Sequence, residues 1–444
     1  MRKFVQVGRG DFCYTAGAMR KILLVNHASV GHLSTLLNMA VALKEAGHEV
    51  RFMMPGAKGL PRLQIFAVAS AVPDMVKAEG IPVEVMSPTL PFLVAAARLP
   101  GKTGYAETSH AMGLSTMGLG HFAEQILDSI AKNRPDVVVT DFSFLAAAVA
   151  ADAAGIPYAA VFHSGLPFRG GGVPPFGSGL PIGPRSAAWD AYEQKEGALL
   201  EKMDGRVNAV RRRLGLPEMA PGILRRPYSP WLNLVTSVPE IEVPRQNLTA
   251  ATHFVGPCFG RGKMMAMDFP FEELRADRVK IYISLGTVFN NKPEIFRKLM
   301  RGLDDPGYQL ILSAGGAYET LRAEGVPGNV LLRQRVPQVE LLPRVDLVVG
   351  HGGNNSTNET LAAGKPLIVL PVGGEQGDNA SRVEWLGVGR RLSLEELREE
   401  DIRKAAREIL QDAAGPGKSR ALQAAIARAG GINEAARLIE VAGS

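Results

Sequence analysis

Residues 346–379, DLVVGHGGNNSTNETLAAGKPLIVLPVGGEQGDN, constrain this chain more than any other stretch. Leu347, Val348 and Val349 read as a short buried strand, and Gly350-His351-Gly352-Gly353 as a tight turn with exposed backbone. Ser356 and Thr357 then open a helix whose apolar face includes Leu361 and Ala362, and a second strand spans 366–370 after the stop at Gly364. Strand, glycine turn and helix in that order aim unpaired backbone N–H groups and a positive helix end at one point. That arrangement receives a phosphate-bearing anion. Ser356-x-x-Glu359 also fits a capping box, in which the two side chains serve only their own helix. Capping explains neither His351, nor the paired glycines, nor Glu375-Gln376 after the next strand. Polar groups at the carboxyl ends of adjacent strands are where open α/β sheets bind ligands.

The rest of the chain repeats this alternation. A strand at 21–26 is followed by leucines at helical spacing, a stop at Gly47 and a strand at 49–53, which makes a βαβ unit and implies a parallel sheet. Residues 56–120 are less regular and predict loops and helices. A strand at 136–140 ends at Asp141, ahead of an Ala-rich helix stopped by Gly155; another at 157–162 ends at His163. A Gly- and Pro-rich loop covers 165–184, a long charged helix 189–214, and a strand at 232–236 closes the first half. The pattern restarts with strands at 280–284, 308–313 and 330–332 and finishes in helices over 402–441. The expected organisation is an extension over 1–18, a first α/β domain over 19–255, a linker over 256–269, a second α/β domain over 270–425 and a terminal helix over 426–444.

Composition narrows the class. The 444 residues are 46% hydrophobic and 21% charged with a net charge of +6, an ordinary globular balance whose basic residues are scattered. This argues against a nucleic-acid partner. No run of 18 apolar residues exists, so no integral membrane segment is expected. Two cysteines far apart make a zinc cluster or disulfide framework improbable, and a reducing cytoplasm is the expected location.

Residues 351–380 resemble the donor-binding signature of the family 1 glycosyltransferases. Val336-Pro337-Gln338 is similar to the Pro-Gln element that opens that signature, and Ser284-Leu285-Gly286-Thr287 to its Ser-x-Gly-Thr loop. The likeness runs from about residue 21 to the C-terminus. It implies the GT-B fold: two facing Rossmann-like, doubly wound α/β domains with a cleft between them, the first binding the acceptor, the second the donor, and the terminal helix packing back on the first. It also implies transfer of a sugar from a nucleotide donor, a UDP-sugar or alternatively a TDP-sugar, onto a small hydrophobic acceptor such as a flavonoid, macrolide or terpenoid. No metal and no resident cofactor is expected, and the protein is expected to be a monomer or homodimer.

His32 and Asp141 match the family's catalytic pair in motif, order and spacing. His32 sits at the end of the first strand and the start of the next helix, where the helix dipole favours a neutral imidazole, the form a general base needs. An Asp141 contact would fix its tautomer. The resemblance gives the phosphates to His351, Thr287 and the turn at Gly353, Asn355, Ser356 and Thr357, and the ribose hydroxyls to Glu359. It gives the sugar hydroxyls to Glu375 and Gln376, the face of the base to Arg335, and further donor-binding positions to Ser284, Gly286, Val336 and Gln338. Arg335 stands where plant members usually carry a Trp, and Asn354 likewise replaces a usual Trp; both changes point to a bacterial type. His27, Phe142, His163 and Phe168 are expected to line the acceptor pocket. The alternatives are a non-catalytic nucleotide-sugar-binding subunit, which would have lost His32, Asp141 or the turn, and an epimerase of the same architecture, which would want paired carboxylates.

Overall fold

The structure, a computed structural model, describes residues 18–56, 64–98, 104–260, 268–286 and 290–443. The expected extension over 1–18 therefore lies, residue 18 apart, outside the described residues. Thr287 and residues 261–267 of the expected linker lie outside them too.

Seven strands form the first sheet: β1 (Lys21–Val25), β2 (Glu49–Pro55), β3 (Val83–Met86), β4 (Val137–Asp141), β5 (Tyr158–Phe162), β6 (Leu232–Val235) and β7 (Thr252–Phe254). Six form the second: β8 (Val279–Ser284), β9 (Tyr308–Ser313), β10 (Val330–Arg333), β11 (Leu347–Gly350), β12 (Leu367–Val369) and β13 (Gly389–Arg391). The orders are β3-β2-β1-β4-β5-β6-β7 and β10-β9-β8-β11-β12-β13. The pairings are parallel, as strands buried on both faces require; every residue of β4 and of β5 is buried. Strand order reverses between β1 and β4 in one sheet and between β8 and β11 in the other. Loops leaving the two strands at such a reversal part to opposite faces and open a crevice at their carboxyl ends.

Three strands depart from the sequence expectation. β3 falls in the stretch expected to hold only loops and helices, β7 follows the strand expected to close the first half, and β13 was not expected. All are three or four residues long and lie at sheet edges, where partial exposure blurs the apolar pattern, and β13 carries two arginines that blunt its open side.

The last three helices divide between the halves. Ile402, Ala405 and Ala406 of helix Glu399–Gln411 pack in the core of the second sheet. Helix Gly415–Arg428 joins Leu361 and Val383 through Leu422 and Ile426. Helix Gly431–Val441 crosses back: Ile432, Ala435, Ala436 and Ile439 share one core with Leu36, Ala40 and Leu232. Arg20 Nη1 donates to the Ala442 carbonyl at 3.0 Å, and His48 Nε2 meets Glu440 Oε1 at 2.8 Å. Ile439 is fully buried though five residues from the end. Ile439→Ala is expected to cost about 2–5 kcal/mol of stability, read from the denaturant midpoint. A loss near zero would mean that this helix merely rests on the first domain.

Among the described residues no helix is long and apolar enough to cross a membrane.

Candidate functional site

The first reversal point carries a cluster of polar groups drawn from three neighbouring strands. Asp141 ends β4 and is fully buried. His32 lies in the first turn of helix Val30–Glu45, which β1 feeds, and its Nδ1 is 2.7 Å from Asp141 Oδ2. His163 follows β5, and its Nε2 is 2.5 Å from the same oxygen. The other carboxylate oxygen, Oδ1, accepts from the Ser143 backbone N–H at 2.8 Å and from its hydroxyl at 2.6 Å. His27, two residues past β1, reaches the Ser143 hydroxyl at 3.0 Å. The rings of His27 and His163 stand edge-on to His32, with centroids 5.3 and 4.7 Å away.

Electrostatics assigns the protons. Burial pushes the Asp141 carboxyl up, but the charges of His163 and His32 and their hydrogen bonds outweigh it and hold it well below the usual carboxylate range. Asp141 is therefore an acceptor on both oxygens, and His32 donates Nδ1–H, leaving Nε2 with a lone pair. Burial pushes His32 down, yet the Asp141 charge and hydrogen bond, with Glu375 adding to them, raise its pKa above 6.5. The Asp141 partner thus outweighs the helix end, which by itself would lower the proton affinity of His32. His27 is pushed down to about 4, chiefly by burial. His27, His32 and Asp141 offer possible ligand atoms within 4.8 Å of one another. Asp141 already accepts four hydrogen bonds, so the cluster is arranged for handling a proton.

The second reversal point supplies an anion cradle. Helix Asn354–Ala362 begins with Gly353 as its N-cap, and its first intrahelical bond runs from Thr357 N–H to the Gly353 carbonyl. The N–H groups of residues 353–356 thus have no partner within the helix. His351 projects from the end of β11 beside them. A side chain at Gly286 would place its Cβ 2.5 Å from the His351 ring, and one at Gly353 would do the same. Only glycine at both positions leaves room for the imidazole. Burial lowers the pKa of His351, with Glu375 opposing, so it is neutral and offers one N–H.

The capping box does not form. The helix starts two residues before Ser356, and Gln338 Nε2 instead donates to Ser356 Oγ at 3.2 Å and to Glu359 Oε2 at 2.6 Å. Tyr282 donates to the Gln338 carbonyl at 3.0 Å and fixes that amide. Burial lifts the Glu359 carboxyl to about 7 against the Gln338 bond.

The remaining expected residues divide. Glu375 stands at the N-cap position of helix Gln376–Trp385 without a side-chain capping bond, and its charge is felt by His32, His351 and Asp378. Gln376 turns its carbonyl back to the Val372 and Gly373 N–H groups at 2.8 and 3.3 Å, which leaves only its NH2 for a ligand. Ser284 Oγ accepts from Gly286 N–H at 3.4 Å. Asn355 is half-buried in the first turn, Thr357 is buried, and Arg335 is exposed. Val336 packs with Tyr282, Leu341 and Val348, so its side chain is core. Phe142 and Phe168 likewise pack into the first core around Phe162, and His163 is only 5% exposed and turned onto Asp141. The sequence led all three to be expected in the acceptor-pocket lining; instead Phe142 and Phe168 complete the core next to the strand ends, and His163 is held on Asp141. His27 is half-buried beside His32.

The two halves meet at these points. Asn354 Nδ2, in the first turn of the cradle helix, donates to the His163 carbonyl at 2.5 Å. Asp378 accepts from the Gly177 and Gly179 N–H groups at 2.6 and 2.8 Å, which straps the 165–184 loop to the second domain. Arg382 pairs with Glu242 in the same seam. Ser143, Asn354 and Asp378 were not among the expected site residues. Only Asn354, beside the glycine turn, carried a sequence signal.

A family model described as "UDP-glucoronosyl and UDP-glucosyl transferase" matches residues 234–416. The chain is 29% identical over 409 residues to 4'-demethylrebeccamycin synthase of Lentzea aerocolonigenes, covering 88% of this chain and 92% of that protein. It is 34% identical over 212 residues to the NDP-glycosyltransferase YjiC of Bacillus subtilis, which is 47% of this chain and about half, 53%, of that relative. In three dimensions it resembles CalG4, the calicheamicin glycosyltransferase, with a TM-score of 0.72 at 22% identity over 96% of this chain and 98% of that one.

Proposed function

We propose that the chain is a family 1 glycosyltransferase of GT-B fold and of the macrolide type acting on natural products, which carries out an inverting transfer between a nucleotide sugar and a hydroxyl. The proposed donor is UDP-glucose, with a TDP-sugar as the variant, and the proposed acceptor is a small hydrophobic natural product.

In the proposed reaction the acceptor hydroxyl lies at His32 Nε2. That nitrogen takes the proton as the acceptor oxygen attacks the anomeric carbon from the side opposite the diphosphate. The new C–O bond forms as the bond to the phosphate oxygen breaks, and the nucleoside diphosphate leaves. Asp141 stabilises the imidazolium and holds the tautomer. His351 and the free N–H groups at residues 353–356 take up the charge on the leaving diphosphate. These fixed donors stand where a divalent ion would otherwise serve, and the proposal includes no metal.

The observation that carries this reading is the contact between two reversal points: a His–Asp pair and an anion cradle, bridged by Asn354 and His163. The test is calorimetric titration with UDP and TDP at pH 6 and pH 8, with and without EDTA. Ribose hydroxyls donate to the ionised Glu359, and its carboxyl titrates at about 7, so affinity is expected to rise with pH across that value. Glu359→Gln should weaken binding and flatten the pH dependence. Absence of binding by either nucleotide to folded protein would overturn the donor assignment, and a pH-independent affinity would remove Glu359 from it.

A further inference from the structure

We propose that His163 is a positioning residue of the base, which limits the charge that Asp141 presents to His32 and ties that setting to the donor half. The proposal rests on the general-base reading of His32.

The geometry is specific. Asp141 Oδ2 is shared: His32 Nδ1 lies 2.7 Å away and His163 Nε2 2.5 Å away. A carboxylate oxygen accepting two N–H groups gives less negative potential to each than it would give to one. His163 has no freedom to leave: it is 5% exposed, its ring stands edge-on to both His32 and Phe142, and its carbonyl accepts from Asn354 at 2.5 Å. The residue that grips the catalytic carboxylate by its side chain is thus gripped through its backbone by the first turn of the cradle helix. A water or a Ser at this place could donate a hydrogen bond, but it would not carry a rigid ring against His32.

Four groups face His32: Asp141 from β4, His163 after β5, His27 after β1, and Glu375 from the second domain. Asp141 and Glu375 raise its proton affinity. Removing the His163 N–H returns the shared oxygen wholly to His32, so the base becomes stronger but is protonated over more of the working pH range.

The test follows the ring carbons of 13C-labelled histidine by NMR as pH is varied, in the wild type, His163→Leu and His163→Gln. The His32 resonance is identified from His32→Ala. His163→Leu is expected to move the His32 titration to higher pH, and His163→Gln, whose amide still donates, to restore it. In parallel, the release of UDP from UDP-glucose with water as acceptor should fall roughly tenfold at pH 6.5 in His163→Leu and recover at higher pH. UDP titration serves as the folding control. An unmoved His32 titration in His163→Leu, or a shift that His163→Gln fails to reverse, would overturn the proposal. A moved titration with unchanged UDP release would instead count against His32 as the base, leaving the contact intact.

Discussion

Replacing His32 with Ala is expected to lower transfer by about 10²–10⁴-fold, the usual contribution of a positioned general base, while UDP affinity stays near that of the wild type. The separation follows from the architecture. His32 belongs to the first domain and the anion cradle to the second, and the described contact between them runs through Asn354 and His163, not through His32. Comparing single-turnover rates with calorimetric UDP binding checks it; equal losses in both would mean that His32 supports the donor site instead. The pH profile adds a sharper test. His32 must be neutral to act and its pKa is raised, so the rate is expected to climb with pH through a midpoint above 6.5. Asp141→Asn removes the raising charge and leaves burial to dominate. The midpoint should then move down while the maximal rate falls, because the tautomer is no longer held. The same pair affects stability at two limits. The Asp141 contribution is present above the ordinary 3.8 and is lost as pH falls through its depressed folded value. The His32 contribution is complete below 6.5 and is lost as pH rises through its raised folded value.

Which parts of this site could be read in the sequence depended on how far apart the partners lie. The β4 and β5 runs announce themselves because parallel strands are buried on both faces, and their last residues fall at the ligand edge by topology alone. Asp141 was legible for that reason, and His32, in the first turn of the helix after β1, through its motif's likeness to the family. His163 ends a strand in the same way, yet its role depends on β5 lying beside β4, and sheet order is not written in any local pattern. It was therefore expected only as pocket lining. Ser356 and Glu359 have the spacing of a capping box, and local spacing could not reveal that Gln338, at the start of the short helix Gln338–Leu341 after β10, would claim both. Phe142 and Phe168 show the opposite error: aromatic residues beside catalytic ones look like pocket walls, whereas here they fill the core under the strand ends.

The seam between the domains was the least legible part. Asp378 has neighbours in sequence that mark the donor signature, but its carboxylate serves two backbone N–H groups some two hundred residues upstream. That contact makes the 165–184 loop a strap anchored on the second domain. A Cβ at Gly377 would lie 2.9 Å from the Gly179 backbone, so the two chains approach as closely as only glycine permits.

Replacing His351 with Ala is expected to reduce the chemical step by about 10²–10³-fold, equivalent to about 2.7–4 kcal/mol, as for loss of one donor to a developing oxyanion. The effect should exceed the loss in affinity for the intact nucleotide sugar, because charge on the bridging phosphate oxygen grows only as the glycosidic bond breaks. His351 acts here as a neutral donor: burial lowers its pKa, so no titration of this ring should limit the rate near pH 7. Its replacement is therefore expected to lower the plateau of the pH profile without moving the His32 limb, the reverse of the Asp141→Asn signature. Gly353→Ala reaches the same group by another route, since the added methyl would occupy the place of the His351 imidazole. If the ring is the operative element, the two variants should match in single-turnover rate, and the double variant His351→Ala/Gly353→Ala should be no worse than either. Additive losses would mean that the His351 ring and the Gly353 turn contribute independently, so that Gly353→Ala acts on the helix N–H groups and not through the ring.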